Sequence, residues 1–128
     1  MNPVELKYNK EHEYTKVDGN IVTFGITDHA QESLGDVVFV ELPEEGATVT
    51  AGESYGTVES VKAVSDITAS VSGKVVEVNT ALMDSPDLLN SDPYGEGWLI
   101  KVEAEDLSPL DSLMTAAEYE EFLAEEEH

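Results

Sequence analysis

The sequence contains neither cysteine nor arginine. Without cysteine it can build no disulfide, no thiol nucleophile and no thiolate metal site. Without arginine, 6 lysines stand against 28 carboxylates for a formal net charge of −22. Nucleic-acid binding needs clustered bases to replace counterions, so it is excluded. No apolar run approaches the roughly 18 residues of a membrane-spanning helix, and no membrane span is expected. The opening residues Met1–Asn2–Pro3–Val4–Glu5–Leu6 place no basic region before an apolar stretch and are not rich in Arg and Ser. Neither a secretory signal nor a transit peptide is read there. The expectation is a cytoplasmic protein, bacterial or archaeal, rather than one of the mitochondrial matrix.

What is present is ordinary for a folded chain. A length of 128 residues with 41% apolar content suits a single domain, residues 1–128, with one modest core. The acidity has two compatible readings. It would steer the protein toward basic partner surfaces, with an on-rate that falls with salt, or it serves solubility or adaptation to saline surroundings.

The chain is organised around Gly56–Thr57–Val58–Glu59–Ser60–Val61–Lys62–Ala63–Val64–Ser65–Asp66–Ile67. Two β-type runs, residues 54–59 and 64–69, flank four residues that hold one lysine. Val58, Val61, Val64 and Ile67 are β-branched and favour extended backbone. A hairpin with Lys62 at or beside its tip is predicted. Its neighbours among the bases are Lys16 and Lys74. A turn lysine is most simply solubilising, but a lone exposed amine is also well placed to be modified and to carry a group.

Residues 11–17 read as a first strand, the Asp18–Gly19–Asn20 turn follows, and residues 21–26 form the second strand, with Val22, Phe24 and Ile26 on one face. Thr27 or Asp28 then caps a short helix through Leu34. Asp28 and Gln31 fit a capping box, Gly35 supplies the stop, and Ala30 and Leu34 face the core. Residues 36–42 are almost continuously apolar, which predicts a strand covered on both faces. Residues 74–78 form another strand. Residues 52–59 and 72–79 look like two halves of a loose repeat around the lysine hairpin, as in a quasi-symmetric sandwich or partial barrel. Residues 79–90 are irregular, with at most a turn or two of helix broken at Pro86. Residues 98–102 are the last strand. Thr115 and Glu118 form a capping box for a C-terminal helix of about residues 115–124. Its Tyr119–Phe122–Leu123 stripe packs on the sheet, and residues 125–128 fray.

No catalytic constellation stands out. His12, His29 and His128 are far apart and show no metal-ligand spacing, so no metal site is expected. Tyr94–Gly95–Glu96–Gly97 precedes a strand rather than a helix and is no dinucleotide loop. Trp98 and the aromatic stripe read as core.

Glu59–Ser60–Val61–Lys62–Ala63 resembles the modification motif of the glycine cleavage system H-protein family. So do the block Gly25–Ile26–Thr27–Asp28–His29–Ala30–Gln31–Glu32–Ser33–Leu34–Gly35–Asp36, continuing through Pro43, and the block Asn90–Ser91–Asp92–Pro93–Tyr94–Gly95–Glu96–Gly97–Trp98. The likeness runs in order from about Leu6 to about Phe122. It implies a mainly β, lipoyl/biotinyl-type barrel-sandwich hybrid: two small antiparallel sheets, a short internal helix and a C-terminal helix. It also implies a non-catalytic carrier whose Lys62 bears lipoate as an amide, attached by a lipoate ligase or octanoyltransferase. Its partners would be the pyridoxal-phosphate glycine decarboxylase (P protein), the tetrahydrofolate-dependent aminomethyltransferase (T protein) and dihydrolipoyl dehydrogenase (L protein). The carrier would take the aminomethyl group of glycine from the first to the second and be reoxidised by the third, as a monomer. Glu59, Ser60, Val61, Ala63 and Asp66 would be the recognition surface around the tip. Glu13, in His12–Glu13–Tyr14, matches the acidic residue that meets the amine of the loaded arm in a cleft. Glu11 and Tyr14 depart from the small hydroxyl residue and the Trp common in the family. Other readings remain open: a lipoyl or biotinyl domain of a larger complex, although Val61 and Ala63 replace the Met residues typical of a biotinyl tip; or a degenerate paralogue that donates lipoate or lacks glycine cleavage. A small hydrolase lacks any visible nucleophile turn.

Overall fold

In a computed structural model, the structure describes residues 3–126. Among the described residues, nine strands form two antiparallel sheets. The larger sheet has the order β1 (Lys7–Tyr8), β2 (Glu13–Asp18), β3 (Ile21–Ile26), β9 (Ile100–Ala104), β8 (Gly73–Val78) and β5 (Thr48–Val49). The smaller has the order β4 (Val37–Glu41), β6 (Ser54–Ser60) and β7 (Val64–Thr68). This is the barrel-sandwich architecture expected. The two halves of the loose repeat lie in different sheets, β6 in the small one and β8 in the large one.

Alternation within the strands makes the core. Val22 and Phe24 of β3, Val75 of β8, and Ile100, Val102 and Ala104 of β9 pack together with Val49 and Val71. A second cluster joins the sheets: Ile26, Val37, Val40, Val58 and Ile67 meet Leu82, Leu89 and Leu99. The leucines come from α2 (Ala81–Asp84), α3 (Leu88–Ser91) and the residue before β9. These are the two short turns predicted, with Pro86 between them. Gly25 is required by a close approach: the Tyr14 ring lies directly over it, leaving no room for a Cβ, and the Tyr14 hydroxyl donates to the Pro93 carbonyl at 2.7 Å.

Helix α1 (Asp28–Leu34) is capped by Thr27, whose hydroxyl accepts from the Ala30 amide. Gln31 donates to Asp28 within the first turn. Gly35 ends the helix at φ 77°, ψ −156°, backbone essentially restricted to glycine. Helix α4 (Ala116–Glu126) starts with the predicted box: the Thr115 amide donates to Glu118 at 2.8 Å and the Glu118 amide to Thr115 at 3.2 Å. Beneath it Tyr119 stacks on Tyr8 with ring centroids 4.7 Å apart, beside Leu6 and Ala116. The helix holds through Glu126, where fraying was expected from 125; positions 127 and 128 of that expected tail lie outside the described residues.

Several expectations are corrected. The first long strand starts at Glu13, not 11, because His12 adopts φ 65° and breaks the extended run. A short strand at Lys7–Tyr8 precedes it and pairs with it through Lys7↔Thr15 and Tyr8↔Tyr14, while a separate bridge links Tyr8 to Met114. Strand β4 is not covered on both faces: Val38 is 52% and Phe39 50% exposed. A register shift between Val37 and Phe39 breaks the alternation, so two successive side chains reach solvent. The last strand begins at Ile100, and Trp98 is only half-buried at its approach, with the Lys101 ammonium 5.1 Å over its ring.

Candidate functional site

Strands β6 and β7 pair in register from Glu59↔Val64 down to Gly56↔Ile67, and a shift precedes the last pair, Ser54↔Thr68. Three residues, 61–63, close the hairpin. Ser60 builds the turn. Its hydroxyl oxygen accepts from the amides of Lys62 (3.2 Å) and Ala63 (3.1 Å), and its own amide donates to the Ala63 carbonyl at 2.8 Å. The Val61 amide donates to the Asp36 carbonyl at 3.0 Å, fastening the tip to the chain between α1 and β4. The backbone is thus held at every side of Lys62 while its side chain is exposed. Ion pairs among the described residues join His12 to Glu126 and Lys101 to Glu77; Lys62 takes part in neither.

Lys62 leans over Gly35. A Cβ built there would stand 2.9 Å from the Lys62 Cε, so the missing side chain is the bed on which the lysine stem lies. Around it an apolar rim faces solvent: Val61 is 66% and Val64 65% exposed, with Val38 and Phe39 behind them. Phe39, Glu59 and Val64 are lateral neighbours across three strands. Of the other predicted tip residues, Ala63 and Asp66 are exposed, whereas Ser60 is 7% exposed and shapes the loop from beneath.

Beside the hairpin lies a cleft of about 140 Å³. One wall is α1, with Ala30, Ser33 and Leu34; the other is the small sheet, with Val58, Asp66 and Ile67. Glu13 also lines it, together with Glu11 and His12. Glu13 is 7% exposed. Its two oxygens accept from the Asn9 side-chain amide and from the backbone amide of Thr68, each at 2.9 Å. The second bond crosses from one sheet to the other. Burial pushes the Glu13 carboxyl up to about 7, against the opposing pull of those two donors. It is therefore poised near neutrality, where an arriving cation would favour its ionised form.

The residues that sequence reasoning missed are those supplied by chain reversals. Gly35 gave a helix-stop signal but no sign that a lysine would lie on it. Asn9 buttresses Glu13 through an Asx-type turn, its side-chain oxygen accepting from the amides of Glu11 (3.0 Å) and Glu13 (2.9 Å). His12, expected to be isolated, meets His29 with ring centroids 4.4 Å apart, and Tyr119 at 2.8 Å. Burial, then the neighbouring His29, lower the affinity of His12 for a proton.

The family described as Glycine cleavage H-protein matches this chain over residues 6–126. The chain belongs to that family. Among glycine cleavage system H proteins, it is 59% identical to the one from Carboxydothermus hydrogenoformans over 124 residues, covering 97% of this chain and 95% of the relative. It is 58% identical to the mitochondrial H protein 2 of Arabidopsis thaliana, covering 96% of this chain and 79% of that one. The crystal structure of the H protein from Mycobacterium marinum superposes with a TM-score of 0.88 at 46% identity, covering 96% of this chain and 99% of that one. The H-protein likeness thus spans both sheets, the hairpin and the cleft, rather than the lysine motif alone.

Proposed function

We propose that this chain is a lipoyl carrier of the glycine cleavage system, a single non-catalytic domain of residues 1–128, acting as a monomer in the cytoplasm, with lipoate amide-linked to Lys62. The observation that carries the reading is the amine itself: exposed, outside both ion pairs, and set on a hairpin tip whose backbone is held by Ser60 and Asp36. A lipoate ligase or octanoyltransferase would find it through Glu59, Val61, Ala63 and Asp66, with the apolar rim of Val38, Phe39 and Val64 alongside. The residues present fit the group. The lysine stem has a bed on Gly35, and the cleft walls offer Ile26, Ala30, Leu34, Val58 and Ile67 to an aliphatic chain.

Bound lipoate would supply the dithiolane that accepts the aminomethyl group of glycine. This chain's residues supply reach, shelter and a counter-charge. Docked on the glycine decarboxylase, on the aminomethyltransferase or on dihydrolipoyl dehydrogenase, the hairpin holds the arm at high effective concentration near that enzyme's site. Between visits the cleft excludes water, and Glu13 receives the amine of the loaded arm as a charge-assisted pair. Burial raises the Glu13 carboxyl to about 7, so an arriving cation shifts it toward the ionised form that pairs with it.

Intact mass after expression with lipoate and its ligase tests the reading. A gain of one lipoyl group that disappears in Lys62→Arg is expected; no gain, or a gain retained in that variant, would overturn it. For the cleft, Glu13→Ala speeds loss of ammonia from the loaded protein in the absence of folate partners, and an unchanged rate removes Glu13 from the role.

A further inference from the structure

Away from the cleft's inner end, three side chains that can bind metals converge from three separate elements. His12 precedes β2, His29 lies in the first turn of α1, and Glu126 ends α4. One ligand atom from each lies within 4.8 Å of the others. The His12 and His29 rings are 4.4 Å apart, and the His12 Nε2 stands 3.1 Å from a Glu126 oxygen. We infer that His12, His29 and Glu126 form a binding site for one borderline divalent cation of the Zn²⁺ class.

Ligand chemistry supports this. Two imidazoles and a carboxylate with an open fourth position are a donor set that zinc takes at about 2.0–2.2 Å. Tetrahedral ligands at that range are about 3.3 Å from one another. The His12–Glu126 separation, 3.1 Å, is already close to that value, and a His29 ligand atom lies within 4.8 Å of both partners. The outer partners are also in place. The His12 Nδ1 is 2.8 Å from the Tyr119 hydroxyl, which is 2.8 Å from the Thr27 hydroxyl. With Nδ1–H donating to Tyr119, the Nε2 lone pair faces the carboxylate, the arrangement by which a ligating histidine is oriented. The His12 backbone is fixed too: its amide donates to the Asn9 carbonyl at 3.2 Å, and its carbonyl accepts from Thr27 at 3.1 Å.

The site takes one cation between the His12 Nε2 lone pair, a His29 ring nitrogen and a Glu126 oxygen. It would pin the C-terminal end of α4 to α1 and to the chain at the rim of the cleft, which His12 also lines. The net charge of −22 concentrates cations near it, and the mix of nitrogen and oxygen ligands prefers zinc to magnesium.

The test uses full-length protein without lipoate or a histidine tag, stripped with chelator, so it does not depend on the carrier reading. Zn²⁺ is titrated against a chromophoric indicator in excess Mg²⁺, which occupies plain surface carboxylates. One equivalent is expected, weakened at least tenfold in His29→Gln and in Glu126→Gln, and accompanied by a rise in melting temperature that Mg²⁺ alone does not give. Both substitutions lie on half-buried or exposed helix positions, so folding is retained and is checked by circular dichroism. No binding above the Mg²⁺ background, or several equivalents unchanged by both substitutions, would overturn the inference.

Discussion

Lys62 and Glu13 are handled in opposite ways by the same fold. At the hairpin tip the backbone is tied by Ser60 and Asp36 while the charged group is left in water. In the cleft the charged group is tied, by Asn9 and Thr68, and water is kept away. For the carrier role proposed for Lys62, an amine needs a fixed base and a free end. A carboxyl that must discriminate an incoming cation needs desolvation, because Coulomb attraction in bulk water is worth only about 1 kcal/mol at contact distance.

The sharpest way to break this contrast is at the lysine. Lys62→Arg keeps the charge but offers no acylable amine, so lipoyl addition and carrier activity fall to background. Stability, read by thermal unfolding, changes by no more than about 0.5 kcal/mol, as for a surface substitution.

Glu13 comes next. Its carboxyl is raised from the ordinary 4.5 to about 7 by burial, so the folded state binds the proton more tightly than the unfolded chain. Its contribution is full below pH 4.5, fades as pH rises, and is gone above about 7. The amount at stake is about 3 kcal/mol. Denaturant titrations of wild type and Glu13→Gln from pH 4 to 8 are expected to differ in slope across that window, the variant being the flatter. Parallel curves would contradict a poised carboxyl.

Gly35→Ala disturbs the bed of the lysine. The backbone conformation and the Cβ standing 2.9 Å from the Lys62 Cε together cost about 1–3 kcal/mol. Lipoylation slows because the stem is displaced, and a melting curve with a timed mass assay separates the two effects. Ser60→Ala is milder. It leaves the Lys62 and Ala63 amides to solvent, costs about 1 kcal/mol, and broadens the hairpin-tip amide signals in NMR while leaving Glu13 unchanged.

How far these two sites can be read without coordinates differs for a physical reason. The tip is local: β-branched runs on each side of a single base, within one hairpin, announce both the turn and the amine. Likewise Thr115 and Glu118, three apart, announce the start of α4, and Val22, Phe24 and Ile26 give the face of β3. The cleft is not local. Asn9 meets Glu13 within one turn, but Thr68 reaches Glu13 only after two sheets have packed. Lys7–Tyr8 is too short to register as a strand until Thr15 and Tyr14 of β2 pair with it. The apolar run 36–42 predicted double burial, since composition carries no trace of the register shift that turns Val38 and Phe39 outward. His12, His29 and Glu126 are separated by helices and strands whose return paths no spacing rule describes.

The bond from the Thr68 amide to Glu13 makes one side chain both receptor and rivet. Any cation that draws Glu13 toward itself also tugs on β7, the strand that leads back to the lysine turn. For the arm proposed on Lys62, a load seated in the cleft would thus pull on the strand at its own base. A docking enzyme that pries the two layers apart would loosen its grip on the passenger in the same motion.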